Sequence, residues 1–412
     1  MSTIWSRTSG RRSGGCKLDN GTAMMHAGLC SMNRIYLDHA ATTPILPEVC
    51  KAMMPHLSDE YGNPSSLHAQ GRRARETVEV ARDIISVFIE ANPGEIIFTG
   101  GGSESNNLAI KGTAFSLRGR GNHIITTAVE HHSVIESCRF LESLGFDVTY
   151  IGVDSAGMVD PDEVGRAITR KTILVSVIHG NNEIGTIQPV AEIARIARGY
   201  GVPVHTDAVQ TFGHIPLSVD DLGIDLLSAT AHKLYGPKGT GLLYIRSGTA
   251  IEPLIHGGGQ ETHFRAGTHN VAGITGFGRA VEMASGMMDE ESERIARLRD
   301  SLIERILCNV GGVINGHEHR GLPGIISLTI PGIDADALVI ALDRMGIACS
   351  SGAACMSSNF EPSHVLTAIG RSREEAKSTI RLSLGRDTNH GEIERASDAL
   401  VAIVPKLRKF AP

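Results

Sequence analysis

The sequence predicts an α/β fold built on a mostly parallel sheet. Three observations carry the prediction. Short apolar runs at 95–99, 123–127, 146–151, 172–177, 203–206 and 241–246 alternate with stretches of helical period. The run Thr172-Ile173-Leu174-Val175-Ser176-Val177 is nearly all apolar, as a strand buried on both faces should be. Several runs close on polar or glycine-rich clusters, and a parallel sheet binds ligands at the carboxyl ends of its strands.

Composition sets the outer limits. The chain has 412 residues, 41% hydrophobic and 20% charged, an ordinary globular balance, and its length suggests two or more domains. A net charge of -6 leaves no broad basic face, which argues against nucleic acid as a partner. No apolar run is long enough to span a bilayer, so no membrane partner is expected. Seven cysteines without a CxxC pair argue against a zinc site and for free thiols in a reducing compartment. Residues 1–33 read as a flexible extension, with Arg7, Arg11 and Arg12 among Ser and Gly. The alternatives are a transit peptide, which would place the protein in an organellar matrix instead of the cytoplasm, or a true start at Met24, Met25 or Met32.

Along the chain, 34–38 reads as a short strand running into small residues, His39 to Pro44, that let a backbone come close to something. Residues 71–90 have helical period, with Val78, Ala81, Ile84, Ile85 and Phe88 on one face. Strand 95–99 leads through Gly100-Gly101-Gly102-Ser103 into a helix expected from Leu108. Bare N–H groups at such a turn suit a phosphate, although a tight turn with Ser as N-cap fits too. The stretch 256–268 is glycine-rich and aperiodic, a length of connection that usually serves function. A charged amphipathic helix at 290–308, strand 325–330 and helices at 335–345 and 392–409 form a second unit, with a boundary near 288.

The chemistry gathers at strand ends. His205-Thr206-Asp207-Ala208-Val209-Gln210 ends a strand in an acid and an amide, and Ser228-Ala229-Thr230-Ala231-His232-Lys233 ends the next in hydroxyls, a His and a Lys. Pyridoxal phosphate needs a lysine amine for its Schiff base and a carboxylate at its pyridine nitrogen. Ser103, His131, Asn182, Asp207, Gln210 and Lys233 should all converge at that sheet edge. In the second unit a run of small residues leads to Cys355, a thiol free to move, whereas Cys349 follows an apolar run and should pack. Arg381 and Arg386, read on one strand, offer forked donors for a substrate carboxylate or a surface ion pair.

From Tyr36 to about Leu407 the chain resembles cysteine desulfurases of the nitrogen-fixation and iron–sulfur-assembly type, within the class V aminotransferases. The carrying motifs include YLDHAATTP (36–44), FTGGGSESNNLAIKG (98–112), EHHSV (130–134), NNEIGTIQP (181–189), HTDAVQ (205–210), SATAHKLYGPKG (228–239), RAGTHN (265–270) and SSGAACMSS (350–358). The resemblance implies a fold-type-I pyridoxal-phosphate enzyme: a large domain at 48–288 with a seven-stranded, mostly parallel sheet flanked by helices, a small α+β domain at 289–412, and 34–47 packed against the latter. It implies that Lys233 carries the cofactor, Asp207 faces the pyridine nitrogen, Gln210 the ring hydroxyl and His131 the ring face, where the histidine would also be catalytic as a proton shuttle. Gly102, Ser103, Thr230 and His232 would hold the phosphate, and Thr268 would reach the partner subunit's phosphate in a homodimer. Asn182, also beside the cofactor, would bind the carboxylate of L-cysteine together with Arg381. Cys355 would take the sulfur as a persulfide, leaving alanine, and pass it to an acceptor such as an iron–sulfur scaffold or a thio-modification pathway. No metal ligand is certain, with Cys355 at most a transient iron–sulfur contact.

Ala353 and Met356 stand where the family commonly has Ser and Thr, and Thr230-Ala231-His232 differs from the usual Ser/Ala-Ala/Gly-His. An altered rate or acceptor choice is the expected consequence. The rival readings are another class V pyridoxal enzyme, a selenocysteine lyase or an aminotransferase, and a non-catalytic scaffold that would have lost Lys233 or Asp207.

Overall fold

The computed structural model describes residues 34–351 and 362–409. From Ile35 onward these form one compact unit holding two main sheets. A short strand β1 (Ile35–Tyr36) opens the chain, and helix Ala69–Phe88 follows with His68 as its N-cap, the side chain accepting from the Gly71 N–H. The central sheet is then built from β2 (Ile96–Thr99), β3 (His123–Thr127), β4 (Asp147–Ile151), β5 (Thr172–Ile178), β6 (Val204–Asp207), β7 (Leu226–Thr230) and β8 (Gly241–Ile245). Their order is β2-β8-β7-β6-β5-β3-β4. Only β8 runs against its neighbours, so the sheet is seven-stranded and mostly parallel, as the sequence led us to expect.

Burial explains the apolar runs. All seven residues of β5 are buried. Successive residues feed opposite faces of the sheet: Ile96, Phe98, Val175, Val177 and Leu227 join one core, while Ile97, Ile124, Leu174 and Leu226 join another.

A third core lies under an antiparallel sheet of order β12-β13-β10-β9. Its strands are β9 (Val313–Asn315), β10 (Ile325–Thr329), β12 (Ser350–Ser351) and β13 (Thr379–Ser383), with β11 (Ile347–Ala348) pairing in parallel with β1. Helices Met288–Asn309, Ala335–Arg344 and His390–Arg408 accompany it. β1 and β11 form a two-stranded sheet of their own, and the bridge from Asp38 to Ser383 ties the residues just after Tyr36 to β13.

Two local expectations need correction. The helix after the glycine turn starts at Gly102, not Leu108, and its N-cap is Gly101 with a φ of 148°, not Ser103. That backbone angle suits only glycine. The Glu104 carboxylate reaches back to the Gly100 N–H at 2.8 Å, which supports the turn earlier in the chain than a Ser cap would. The strand carrying Arg381 ends at Ser383, so Arg386 falls beyond it.

Candidate active site

The ends of five strands deliver polar groups to one edge of the large sheet. They line a cavity of about 810 Å³. β2 supplies Gly100 to Ser103, β3 supplies Glu130 and His131, β5 supplies Asn182, β6 supplies Asp207 and Gln210, and β7 supplies Thr230, His232 and Lys233. The small sheet closes it with Ser350, Ser351 and Arg381. Of the site residues that the family resemblance implies, only Thr268 and Cys355 are not among these. Thr268 is exposed and does not line the cavity. Cys355, with Ala353 and Met356, lies outside the described residues, as does the 1–33 segment.

Lys233 follows β7 in a single tight turn and aims its amine at the segment after β1. Its Nζ donates to the carbonyls of Ala40 at 2.5 Å and Ala41 at 2.7 Å. Gln210 Nε2 donates to that same Ala40 carbonyl at 2.9 Å. The small residues of 39–44 therefore do bring a backbone close, and what it meets is the lysine. Burial lowers the amine's pKa to about 8, helped by the Arg381 charge and opposed by Asp38 and Asp207. A lysine poised there is partly free amine at ordinary pH, far more so than an exposed lysine.

Asp207 is buried at the end of β6. Its Oδ1 accepts from the Val209 N–H at 3.0 Å and its Oδ2 from Asn106 Nδ2 at 2.7 Å. His131 caps the helix His132–Glu142 through Nδ1, which accepts from the Ser133 N–H at 3.1 Å. Burial drives the imidazole of His232 down to about 4, with Lys233 and Lys238 pushing the same way, so that ring is neutral.

At the small-sheet side, Arg381 donates to the Asn182 carbonyl at 2.9 Å and pairs with Asp38 at 3.0 Å. Ser350 Oγ donates to the same Asp38 oxygen at 2.9 Å. Arg381 Nε and Asn182 Oδ1 are buried without a protein partner, an arrangement that costs about 1–3 kcal/mol per group unless something else satisfies it. Arg386 does not share this role: it pairs with Glu291 at 2.8 Å and lies over the Tyr235 ring. Cys349 is buried, and burial pushes its thiol up to about 12, which leaves it without thiolate character.

Four groups at the site were not singled out in the sequence: Asp38, Asn106, Glu130 and Ser133. All four sit inside motifs that were noticed (36–44, 98–112 and 130–134), but Asp38, Glu130 and Asn106 take partners from 343, 48 and 101 residues away. Nothing local marks them.

The geometry defines a lysine-and-acid site at the switch edge of a doubly covered α/β sheet. The Aminotransferase class-V family matches residues 35–396, and the chain belongs to it. It is 52% identical over 379 residues to a cysteine desulfurase IscS of Dictyoglomus turgidum, covering 92% of this chain and 96% of that one. The cysteine desulfurase IscS of Methanosarcina thermophila is 46% identical, with 92% and 94% covered. Among solved structures, a NifS-like protein superposes with a TM-score of 0.86 at 38% identity over 91% of this chain and all of that one. "SspA in complex with cysteine" superposes with a TM-score of 0.77 at 41% identity over 85% of this chain and 98% of that one.

Proposed function

We infer that this chain is a cysteine desulfurase, which takes sulfur from L-cysteine and releases L-alanine. The observation that carries the reading is the Lys233 amine, lowered to about 8, sharing one cavity with a buried acid, Asp207, and with the unsatisfied Asn182 and Arg381. Relatives with that name cover 92% of the chain.

Pyridoxal 5'-phosphate fits the residues present. The glycine turn packs closely on the strand end beside it: a Cβ on Gly102 would come within 2.6 Å of Val209 Cγ2. Gly102, Ser103, Thr230 and His232 would hold the phosphate, Asp207 the pyridine nitrogen, Gln210 the ring hydroxyl and Lys233 the aldehyde carbon. When bound, the group supplies an electron sink for charge developed at the substrate α-carbon. Lys233 then carries the α-proton, and its lowered pKa matches that task. Arg381, with Nε still open, and Asn182 through its Nδ2 would orient the substrate carboxylate. Cys355 takes the sulfur: its S–H becomes S–S–H as the substrate C–S bond breaks and the carbon gains a proton to give alanine. A homodimer in which Thr268 serves the partner's site is supported by that residue's exposure away from its own cavity. Exposed Leu57, Tyr61 and Leu67 offer the apolar contact such a dimer needs. The persulfide passes to an acceptor protein of iron–sulfur assembly or thio-modification.

The test is to mix purified protein with L-cysteine without reductant, assay alanine and map added sulfur by peptide mass spectrometry. Alanine together with one extra sulfur on the Cys355 peptide is expected. Lys233→Ala should lower alanine release by about 10²–10⁴-fold. Alanine without sulfur on Cys355 overturns the nucleophile. Neither product, from protein carrying the yellow cofactor, overturns the desulfurase reading in favour of transamination.

A further inference from the structure

A chain of hydrogen bonds runs from Asp207 to His131 through two residues that the proposed reaction does not use. Asn106 Nδ2 donates to Asp207 Oδ2 at 2.7 Å and to Ser133 Oγ at 2.8 Å. Ser133 Oγ lies 2.8 Å from His131 Nδ1, and the Ser133 N–H donates to the same nitrogen at 3.1 Å. Asn106 itself is buried, and its Oδ1 has no partner.

The proton positions follow from one end. A carboxylate oxygen only accepts, so Asn106 must turn its NH₂ towards Asp207, because the flipped amide would set two acceptors 2.7 Å apart. The second amide hydrogen then occupies a lone pair of Ser133 Oγ. The hydroxyl has a second lone pair, so the direction of its contact with His131 Nδ1 is settled by the neighbouring backbone donor. The backbone N–H of Ser133 points there and cannot rotate away. Nδ1 is thus held as an acceptor by two donors, and a neutral imidazole must carry its hydrogen on the other nitrogen.

We propose that Asn106 and Ser133 are positioning residues that fix His131 as the Nε2–H tautomer, so that its ring meets a molecule in the cavity as a hydrogen-bond donor and not as a base. The ligand-facing role rests on the function proposed above; the tautomer does not. A second proton would have to enter at Nδ1 against the fixed backbone N–H. Burial already lowers the pKa of this ring, Lys233, His132 and His364 lower it further, and Asp207 alone opposes them. Proton carriage at the site therefore falls to Lys233. The uncompensated Asn106 Oδ1 fits an amide whose orientation is set by its donors.

The experiment is a long-range ¹H–¹⁵N correlation spectrum of the ¹⁵N-histidine holoenzyme between pH 6 and 9, with His131 identified by its loss in His131→Gln. The expected result is an unprotonated Nδ1 and a protonated Nε2 throughout. A protonated Nδ1, or an even mixture, overturns the proposal. In a double variant, Asn106→Leu with Ser133→Ala, the hydroxyl donor at Nδ1 is lost while the backbone N–H of residue 133 remains, so the Nε2–H form should stay the major one, the Nδ1–H form should gain a minor population, and the His131 pKa should rise, by about a tenfold gain in proton affinity. Should that variant not fold, Ser133→Ala alone is expected to move both in the same direction by less. An unmoved tautomer and pKa in the folded variant would remove Asn106 and Ser133 from the role. Alanine release from the same wild-type sample separates this outcome from failure of the desulfurase reading, because the spectrum stands without turnover.

Discussion

Glu130 and Glu261 are the same residue type, both are buried, and they titrate in opposite directions. Glu130 is fully buried at the cavity floor. Burial lifts its carboxyl to about 8, outweighing hydrogen bonds from the Ile178 N–H and Thr127 Oγ, and Asp207 pushes the same way. Its Oε2 has no partner. Glu261 also suffers burial, yet it falls to about 2, because Arg82 donates from two nitrogens at 2.9 and 2.8 Å, His269 donates at 2.7 Å and the Phe98 N–H at 2.7 Å. Glu261, Thr262 and His263 all have positive φ, a strained turn that this ion pair holds in place. The difference teaches what each region is for. At Glu261 every acceptor is answered and the loop that carries Thr268 is pinned. At Glu130 polar capacity is left unspent, as a site that must receive a ligand requires.

Arg82→Met should break this contrast most severely. It leaves the buried Glu261 carboxylate without its guanidinium, with only His269 and the Phe98 N–H still donating, and a loss of about 3–5 kcal/mol is expected in urea unfolding at pH 7. A lowered folded-state pKa contributes stability that is present above the ordinary value of 4.5 and is lost as pH falls towards about 2. The gap between wild type and variant should therefore narrow on acidification. A gap independent of pH would mean that packing of the arginine stem, not the ion pair, carries the effect.

Glu130→Gln probes the other side. A raised folded-state pKa gives stability that is complete below 4.5 and drains away as pH rises through about 8. Glutamine mimics the protonated acid and has no such loss. The variant should match wild type near pH 4 and exceed it by roughly 2–4 kcal/mol at pH 9, since each tenfold change in proton affinity is worth about 1.4 kcal/mol. Equal pH dependence for the two proteins would show that Glu130 is ionised in the fold at no cost.

His269→Gln should have the smallest effect. The amide can still donate to Glu261, so a loss of about 0.5–1.5 kcal/mol by thermal unfolding is expected. A loss as large as that of Arg82→Met would place the anchor on the histidine and not on the guanidinium.

Much of the site was legible in the sequence because its chemistry sits in short, unusual segments. Lys233, Asp207, Gln210 and Asn182 each follow a strand whose apolar run is plain to read, and strand ends in a parallel sheet share one edge. Asn106 and Ser133 were not legible, since an amide inside one short helix and a hydroxyl in the first turn of another carry no mark of a shared role until the helices are brought side by side. Arg386 misled for the opposite reason. Its neighbour in sequence, Arg381, points into the cavity, but the strand stops at Ser383 and the chain turns Arg386 towards Glu291.

The sequence alone determined the strands, the glycine turn, the lysine and the acid, because period, burial pattern and backbone freedom are local properties of the chain. Only the tertiary structure decided protonation. Whether a buried glutamate titrates near 8 or near 2, whether the Lys233 amine drops to about 8, and which nitrogen of His131 bears a hydrogen all depend on groups that the fold brings together in space. Electrostatic energy in a low-dielectric interior is set by distance in space, and no spacing along the chain encodes it.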